Sequence, residues 1–318
     1  MANIKSNPSS PTLTDSKFFR AVIFTGYSCN NRCGFCIDYH KREIADFSTQ
    51  HLVKLITQAR NRGFDYLEII GGEATIRTDF LALIRMAKKI GFKKVISATN
   101  GRRFAHRPFA KAAIEAGIDG IMFSVHGPNE DIHDGLTAAP GSFRQILAGI
   151  KNLQNLGFSS IRVNTTVVQQ NYQSLPEMAK LYLELKIAGA EVIFVDPSYG
   201  GAQTNFRDFV PKISQAAPWM RRCLDIGRSA GTRQWAVRYV PLCHFRGYED
   251  QISETVERLL FHTVHIAPDF RNEDVSSSRI SAARIKPNIC RACALFNECE
   301  GIWKEYFRIY GAEELTPI

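Results

Sequence analysis

The stretch FRAVIFTGYSCNNRCGFC, residues 19–36, joins a short apolar run to three cysteines packed into eight positions. Ala21–Thr25 is too short for a helix and is almost continuously apolar, the pattern of a strand buried on both faces. Cys29, Cys33 and Cys36 follow at once as C-x3-C-x2-C, with nothing nearby to complete a set. Disulfide frameworks use even numbers, and closed zinc sites usually sum to four ligands. A catalytic metal, by contrast, needs an open position, which three ligands leave.

Working outward, the alternation repeats. Strands are expected at Tyr66–Ile70, Lys94–Ala98, Gly120–Val125, Ile161–Val167 and Glu191–Val195. Helical patterns lie between them at Thr49–Arg62, Phe80–Ile90, Pro108–Ala116, Phe143–Leu156 and Leu175–Ala188. Five of these end on glycine (Gly63, Gly91, Gly117, Gly157, Gly189) followed by an apolar residue or alanine, which suits a left-handed helix terminus. Ser48, Thr78, Ser142 and Ser174 stand as N-caps. Such regular alternation predicts an α/β fold with a parallel sheet, a partial (βα)6 TIM-like barrel, with an open doubly wound sheet as the alternative. Residues 1–18 are expected to be a flexible tail, 19–210 the barrel, and 211–318 a C-terminal extension with its own metal site.

Parallel strands present functional groups at their carboxyl ends. The cysteine loop follows the first strand, Gly71-Gly72-Glu73 the second, Thr99-Asn100 the third and Ser124–His126 the fourth. Asn164 lies within the fifth strand and Asp196 follows the sixth. The unusual polar residues thus gather on one face.

Composition narrows the class. Hydrophobic residues at 45% and charged residues at 22% suit a soluble globule, and no apolar run approaches the roughly 18 residues that cross a bilayer. The first residues contain no apolar signal core, so a cytoplasmic location is expected, where clustered thiols mean metal or redox chemistry. The net charge of +9 admits an acidic partner, but the basic residues come in scattered pairs, which argues against nucleic acid.

C-x3-C-x2-C after the first strand, with GGE after the second, resembles the radical S-adenosylmethionine (radical SAM) superfamily over about residues 20–200. The resemblance implies a [4Fe-4S] cluster held by Cys29, Cys33 and Cys36, whose open iron is chelated by S-adenosylmethionine. It implies reductive cleavage to a 5′-deoxyadenosyl radical that abstracts hydrogen from a substrate. Phe35 resembles the aromatic residue beside the adenine. Gly71 and Gly72 would admit close backbone approach, and Glu73 would accept the methionine amino group, although Ala74 stands where the family usually has proline. Ser124 and Asn164 resemble residues that touch the ribose or the methionine carboxylate, and Asn100 is a further cofactor-binding candidate; capping or turn bonding is the alternative for these three. The carboxylate-clamping arginine of a related group is absent at Leu136-Thr137, with Arg144 or Arg162 as substitutes or as surface charges. A flavodoxin- or ferredoxin-type electron donor is implied as a partner.

Cys290-x2-Cys293-x5-Cys299 resembles the auxiliary-cluster segment of the SPASM/twitch subgroup. The shorter twitch form implies one auxiliary [4Fe-4S] cluster on Cys243, Cys290, Cys293 and Cys299; zinc on the same thiolates is the alternative. Cys223 then remains of the eight cysteines. It is read as a small buried residue, as a cluster ligand in place of Cys243 or Cys299, or as the donor of a hydrogen atom to a substrate radical. His126 could bond substrate or shuttle a proton, and His133-Asp134 holds the loop before Ser142. Packing is expected of His262 and His265, and of Trp303, Tyr306, Phe307 and Tyr310 on a final helix.

The expected function is radical SAM chemistry on a small polar substrate of sugar or aminocyclitol type, giving epimerisation or dehydrogenation. An enzyme modifying a ribosomally made peptide is the alternative, and a non-catalytic iron–sulfur carrier is the alternative of another class.

Overall fold

The structure, a computed structural model, describes residues 17–318. The tail expectation for residues 1–18 falls almost wholly outside them; Phe18 already belongs to the first strand. Six strands lie where the apolar runs predicted: β1 (Phe18–Phe24), β2 (Tyr66–Ile70), β3 (Lys94–Thr99), β4 (Gly120–Ser124), β5 (Ile161–Val167) and β6 (Gly189–Phe194). The helices between them are α1 (Thr49–Asn61), α2 (Phe80–Lys89), α3 (Arg107–Glu115), α4 (Glu130–Thr137), α5 (Ser142–Asn155) and α6 (Leu175–Glu184).

The sheet continues beyond residue 210. Two short helices, α7 (Gly200–Thr204) and α8 (Phe206–Phe209), and the long α9 (Ile213–Ser229) lead to β7 (Trp235–Arg238). Next come α10 (Ser253–Leu260), β8 (Phe261–Ile266) and β9 (Arg271–Asn272). The order is β7-β6-β5-β4-β3-β2-β1-β8-β9, all parallel except β9. The parallel sheet thus runs past residue 210, adding β7 and β8 to the six expected strands. Neither β7 nor β8 reads as a continuous apolar run, because Arg238, His262 and His265 interrupt them. Successive strands from β1 to β7 are neighbours with no reversal, which excludes the doubly wound alternative.

Strand alternation gives the barrel a polar interior. Leu67, Ile69, Val95, Ile121, Phe123, Val163 and Val167 are buried on the helix side, whereas Glu68, Ser124, Asn164 and Thr166 are only partly covered. β7 and β8 do not pair, and α10 occupies the gap between them. Its Glu257 takes a salt bridge from Arg20 of β1 at 2.6 Å and another from Arg238 of β7, so one carboxylate bridges the two sides of the seam.

The remaining chain forms α11 (Val275–Ser278), the antiparallel pair β10 (Arg284–Ile285) and β11 (Ile302–Trp303), and α12 (Lys304–Tyr310). Trp303, expected on the final helix, belongs to β11 and lies one residue before α12. Four of the five helix-ending glycines have positive φ, but Gly189 does not; Lys186 takes the left-handed position after α6. A Cβ on Gly189 would meet only the movable Arg162 guanidinium, at 2.6 Å. Of the four expected caps only Ser48 accepts a capping bond, from the His51 N–H at 3.2 Å. The N-terminus of α5 is capped instead by Asp134, which takes the Ser142 hydroxyl and the Phe143 N–H, each at 2.7 Å. This is the loop-holding role expected of His133-Asp134.

Candidate active site

The loop between β1 and α1 carries Cys29, Cys33 and Cys36, all partly buried. Its backbone is fastened to the end of β2. Gly72 N–H donates to Gly26 O and Glu73 N–H to Ser28 O, both at 2.8 Å. A Cβ on Gly72 would collide with the Tyr27 and Ser28 carbonyls. The close approach that requires this glycine is thus to the cysteine loop of the same chain. Asp46 accepts the Tyr27 N–H at 2.7 Å from the far side of the loop. Arg42 donates to Asn31 O at 3.0 Å, and Arg102 donates to the Asn31 side chain at 3.1 Å.

A second support was not legible from spacing. Gly201 N–H donates to Cys36 O at 2.9 Å, and a Cβ on Gly201 would land on the Gly34 carbonyl. One on Gly200 would land on the Cys36 and Ile37 carbonyls. The start of α7, about 165 residues away in the chain, thus forms the back wall of the cysteine loop. Phe209 of α8 packs against Phe35, with ring centroids 6.3 Å apart.

Burial pushes all three thiols upward, Cys33 to about 12 and Cys36 to about 11, and neighbouring thiols add to the effect on Cys33. The protein alone does not compensate three thiolates here. A cationic metal group would, and the donor set therefore fits one. Among the described residues, no three His, Cys, Asp or Glu side chains converge closely enough to hold one metal ion. A cluster, which spreads its thiolates over separate irons, asks for no such convergence.

Glu73 is buried and heavily bonded. Its Oε1 accepts from Thr75 N–H at 3.1 Å, the Thr75 hydroxyl at 2.5 Å and the Thr99 hydroxyl at 2.8 Å; its Oε2 accepts from Asn100 N–H at 2.6 Å. Burial still pushes its carboxyl upward. Oε2 retains capacity for one further donor. The Asn100 side chain bonds Asn30 at 2.6 Å and approaches the Cys29 sulfur at 3.9 Å, so it braces the cysteine loop. Ser124 and Asn164 are register partners on adjacent strands, both on the interior side. His126 lies edge-on to Phe35 at 5.0 Å, and its Nδ1 accepts the Thr166 N–H at 3.3 Å. Burial pushes His126 down to about 3, so its ring stays neutral.

The two substitute clamps are not in the site. Arg144 is exposed and pairs with Glu130 at 3.2 Å. Arg162 lies at the opposite, amino end of β5, donating to Gln234 at 3.2 Å. Cys223 is wholly buried on α9, which packs against α6, and near Tyr182, whose hydroxyl meets the Thr165 hydroxyl on the helix side of β5. The sheet stands between this thiol and the barrel interior. This placement favours the core reading of Cys223 over the hydrogen-donor and cluster-ligand readings.

Cys243, Cys290, Cys293 and Cys299 come together around one pocket, otherwise lined by residues such as Pro241, Leu242, Leu295, Phe296, Ile302 and Leu315. The Cys299 sulfur accepts N–H bonds from Leu242 at 3.4 Å and Gly301 at 3.2 Å. Cys243 and Cys290 are pushed upward by burial first and by the other thiols of the group second. Directly after Cys299, Glu300 forms a two-bond pair with Arg279, both contacts at 2.8 Å. Arg279 also reaches Glu257 at 3.2 Å, so a run of buried charges links this pocket to the barrel seam.

The sequence pattern of the radical SAM superfamily matches residues 23–182, half of the chain, and the chain belongs to that superfamily. Its members use a [4Fe-4S] cluster and S-adenosylmethionine. Over 158 residues the chain is 32% identical to the mycofactocin maturase MftC of Mycolicibacterium smegmatis, covering 49% of this chain and 39% of that one. Over 178 residues it is 30% identical to an AdoMet-dependent heme synthase of Oleidesulfovibrio alaskensis, covering 55% and 45%. The chain thus spans less than half the length of these two relatives. The fold is similar to Streptococcus suis SuiB bound to its precursor peptide SuiA, with a TM-score of 0.66, 16% identity, and coverage of 92% of this chain and 73% of that one. No described helix is long and apolar enough to cross a membrane.

Proposed function

We propose that this chain is a radical SAM enzyme that modifies a peptide, with a twitch-type auxiliary cluster. The observation that carries it is the presence of two separate thiol sets, three on the β1–α1 loop and four around one apolar-walled pocket, in a chain of this superfamily. The names of the relatives favour the peptide alternative over the small polar substrate: one is a maturase and one fold neighbour holds a precursor peptide. The heme synthase keeps a small-molecule substrate as the second reading. We assign the barrel to roughly residues 18–272 and the auxiliary-cluster region to the segments around Cys243 and 275–318. Reducing cytoplasm suits both thiol sets.

Cys29, Cys33 and Cys36 would hold the first cluster, and Cys243, Cys290, Cys293 and Cys299 the second. When bound, the first cluster supplies the electron that cleaves S-adenosylmethionine and so initiates hydrogen abstraction. The chain's own part is orientation. Glu73 offers its remaining acceptor site to an amino group, while Thr75, Thr99 and Asn100 fix its position. Ser124 and Asn164 present side-by-side polar groups to the interior. Phe35, packed by His126 and Phe209, offers an apolar surface to a purine. Neutral His126 adds no charge beside it.

The test is anaerobic incubation of reconstituted protein with S-adenosylmethionine and dithionite, scoring 5′-deoxyadenosine, then peptide and aminoglycoside panels scored by mass. Release of 5′-deoxyadenosine no greater than that of Cys29→Ala would refute the enzyme reading. Modification of an aminoglycoside but of no peptide would reverse the substrate reading.

A further inference from the structure

The edge of the cysteine loop between Cys29 and Cys33 gathers three arginines. Asn31 is 3% exposed, and its N–H donates to the Cys29 sulfur at 3.3 Å. Its main-chain oxygen accepts from Arg42 at 3.0 Å and its side-chain oxygen from Arg102 at 3.1 Å. Arg102 also donates to Asn30 O and, through Nε, to Gln145 of α5 at 2.6 Å. Arg32 comes next in the chain; its N–H donates to Thr137 O at the end of α4 at 2.8 Å. Asn30 and Arg32 are exposed, and Arg42 and Arg102 are partly so, which leaves this edge open to solvent.

The side-chain bonds of Arg42 and Arg102 all go to neutral oxygens. Such oxygens hold a guanidinium in place without cancelling its charge. Nearby arginines are balanced, Arg77 by Asp79 at 2.7 Å and Arg144 by Glu130 at 3.2 Å. Among the described residues, Arg32, Arg42 and Arg102 form no salt bridge. Three gathered like charges repel, and an anionic surface laid on them relieves the repulsion.

Position decides which anion. Asn31 stands one hydrogen bond from a sulfur of the first thiol set and one from each of two guanidiniums. A body seated on the guanidiniums therefore lies against the loop that holds that set. Reductive cleavage needs one electron from outside the chain, and soluble carriers of single low-potential electrons are mostly small acidic proteins. The net charge of +9 favours their approach. An acidic peptide would be attracted as well, but nothing in its modification requires contact with this loop.

We propose that this edge is the seat of a small acidic one-electron carrier protein, of flavodoxin or ferredoxin type, drawn onto the first thiol set by Arg32, Arg42 and Arg102. It rests on the reading that this set holds the reducible cluster. One electron leaves the reduced flavin or iron–sulfur centre of the carrier and enters that cluster, and no bond forms or breaks.

The experiment is anaerobic calorimetry of the loaded protein, without S-adenosylmethionine, against an oxidised flavodoxin, an oxidised plant-type ferredoxin, decaglutamate and the basic protein cytochrome c. At least one acidic carrier is expected to bind, and to bind more weakly as salt rises from about 25 to 200 mM. Cytochrome c should not bind. Arg32→Gln should weaken carrier binding about threefold and Arg32→Glu about tenfold, with iron content unchanged. Stopped-flow reduction of the cluster by the reduced carrier should slow in the same order. Reduction by reduced methyl viologen, a small cation that needs no seat, should be no slower in these variants. Arg42→Lys and Arg42→Gln both keep a donor for Asn31 O and differ in charge. The lysine variant should stay near the parent in carrier binding, and the glutamine variant should fall below it. Absence of binding by both carriers, binding indifferent to Arg32→Glu, or equal slowing with both reductants overturns the proposal. Decaglutamate binding as tightly as the carriers overturns it in favour of an acidic peptide. Full iron content in Cys29→Ala would instead fail the first-cluster reading, and a chain that binds a carrier yet modifies no peptide fails only the peptide reading.

Discussion

Glu73 at the end of β2 and Asn100 just after β3 are joined by a 2.6 Å hydrogen bond from the Asn100 N–H to Oε2. With Thr75 and Thr99 on Oε1, the carboxylate fixes two neighbouring strand ends and keeps one acceptor site for a ligand. Thr99→Val removes one of these bonds while preserving shape. It should cost about 1–2 kcal/mol of stability in thermal or urea unfolding. It should also weaken S-adenosylmethionine binding severalfold, read by calorimetry, without loss of iron. Unchanged affinity would separate Glu73 from the cofactor.

Gly201→Ala tests the wall behind the cysteine loop. Its Cβ would occupy the place of the Gly34 carbonyl, so the loop must shift. Reconstituted variant should lose the iron and visible absorbance of the first cluster and keep those of the second, cutting iron per chain by about half, since each cube holds four irons. Full iron content would show that the loop tolerates displacement.

Cys293→Ala should give the complementary loss. Iron from the auxiliary set falls, while 5′-deoxyadenosine release persists and substrate conversion drops. Loss of both activities together would mean that the four-thiol set serves folding and not turnover.

Cys223→Ala should leave chemistry intact. The thiol is fully buried, and burial pushes it to about 12, so it acts as a small apolar group. The expected cost is about 1–2 kcal/mol of stability from the lost contacts. Turnover in heavy water should show the same deuterium in product as the parent protein. A change in deuterium content would place the thiol in the reaction after all.

Acid stability should report on the barrel seam. Arg238, Arg20 and Arg279 hold Glu257 at about 2, against an ordinary value of 4.5, despite the opposing effect of its burial. Its folded-state value is the lower one, so its contribution is present above pH 4.5 and is lost as pH falls toward 2. The shift corresponds to an order of 3 kcal/mol. Glu257→Gln should lower stability at pH 7 and flatten the pH dependence between those limits in urea unfolding. An unchanged slope there would show that Glu257 does not carry the seam.

The sequence by itself determined the six apolar strands, the parallel alternation, the three-cysteine loop and the Cys290–Cys299 segment, because each is written locally. A buried strand must be apolar along its length, and cysteines that share a loop lie close in sequence. The same locality explains why His133-Asp134 was read correctly as a loop anchor. Only the tertiary structure decided what depends on distant partners. β7 is a strand because Glu191 of β6 and Glu257 satisfy its Arg238, a charge that locally reads as surface, and β8 is one because β1 pairs along it despite His262 and His265. Gly200 and Gly201 matter because α7 folds back on Cys36, and no spacing rule relates residues so far apart. For Cys223 the sequence leaves three readings open, and the position of its helix on the far side of the sheet from the interior favours the core one. Sequence states which groups are present; the packing of remote segments sets which of them meet and which stay dry.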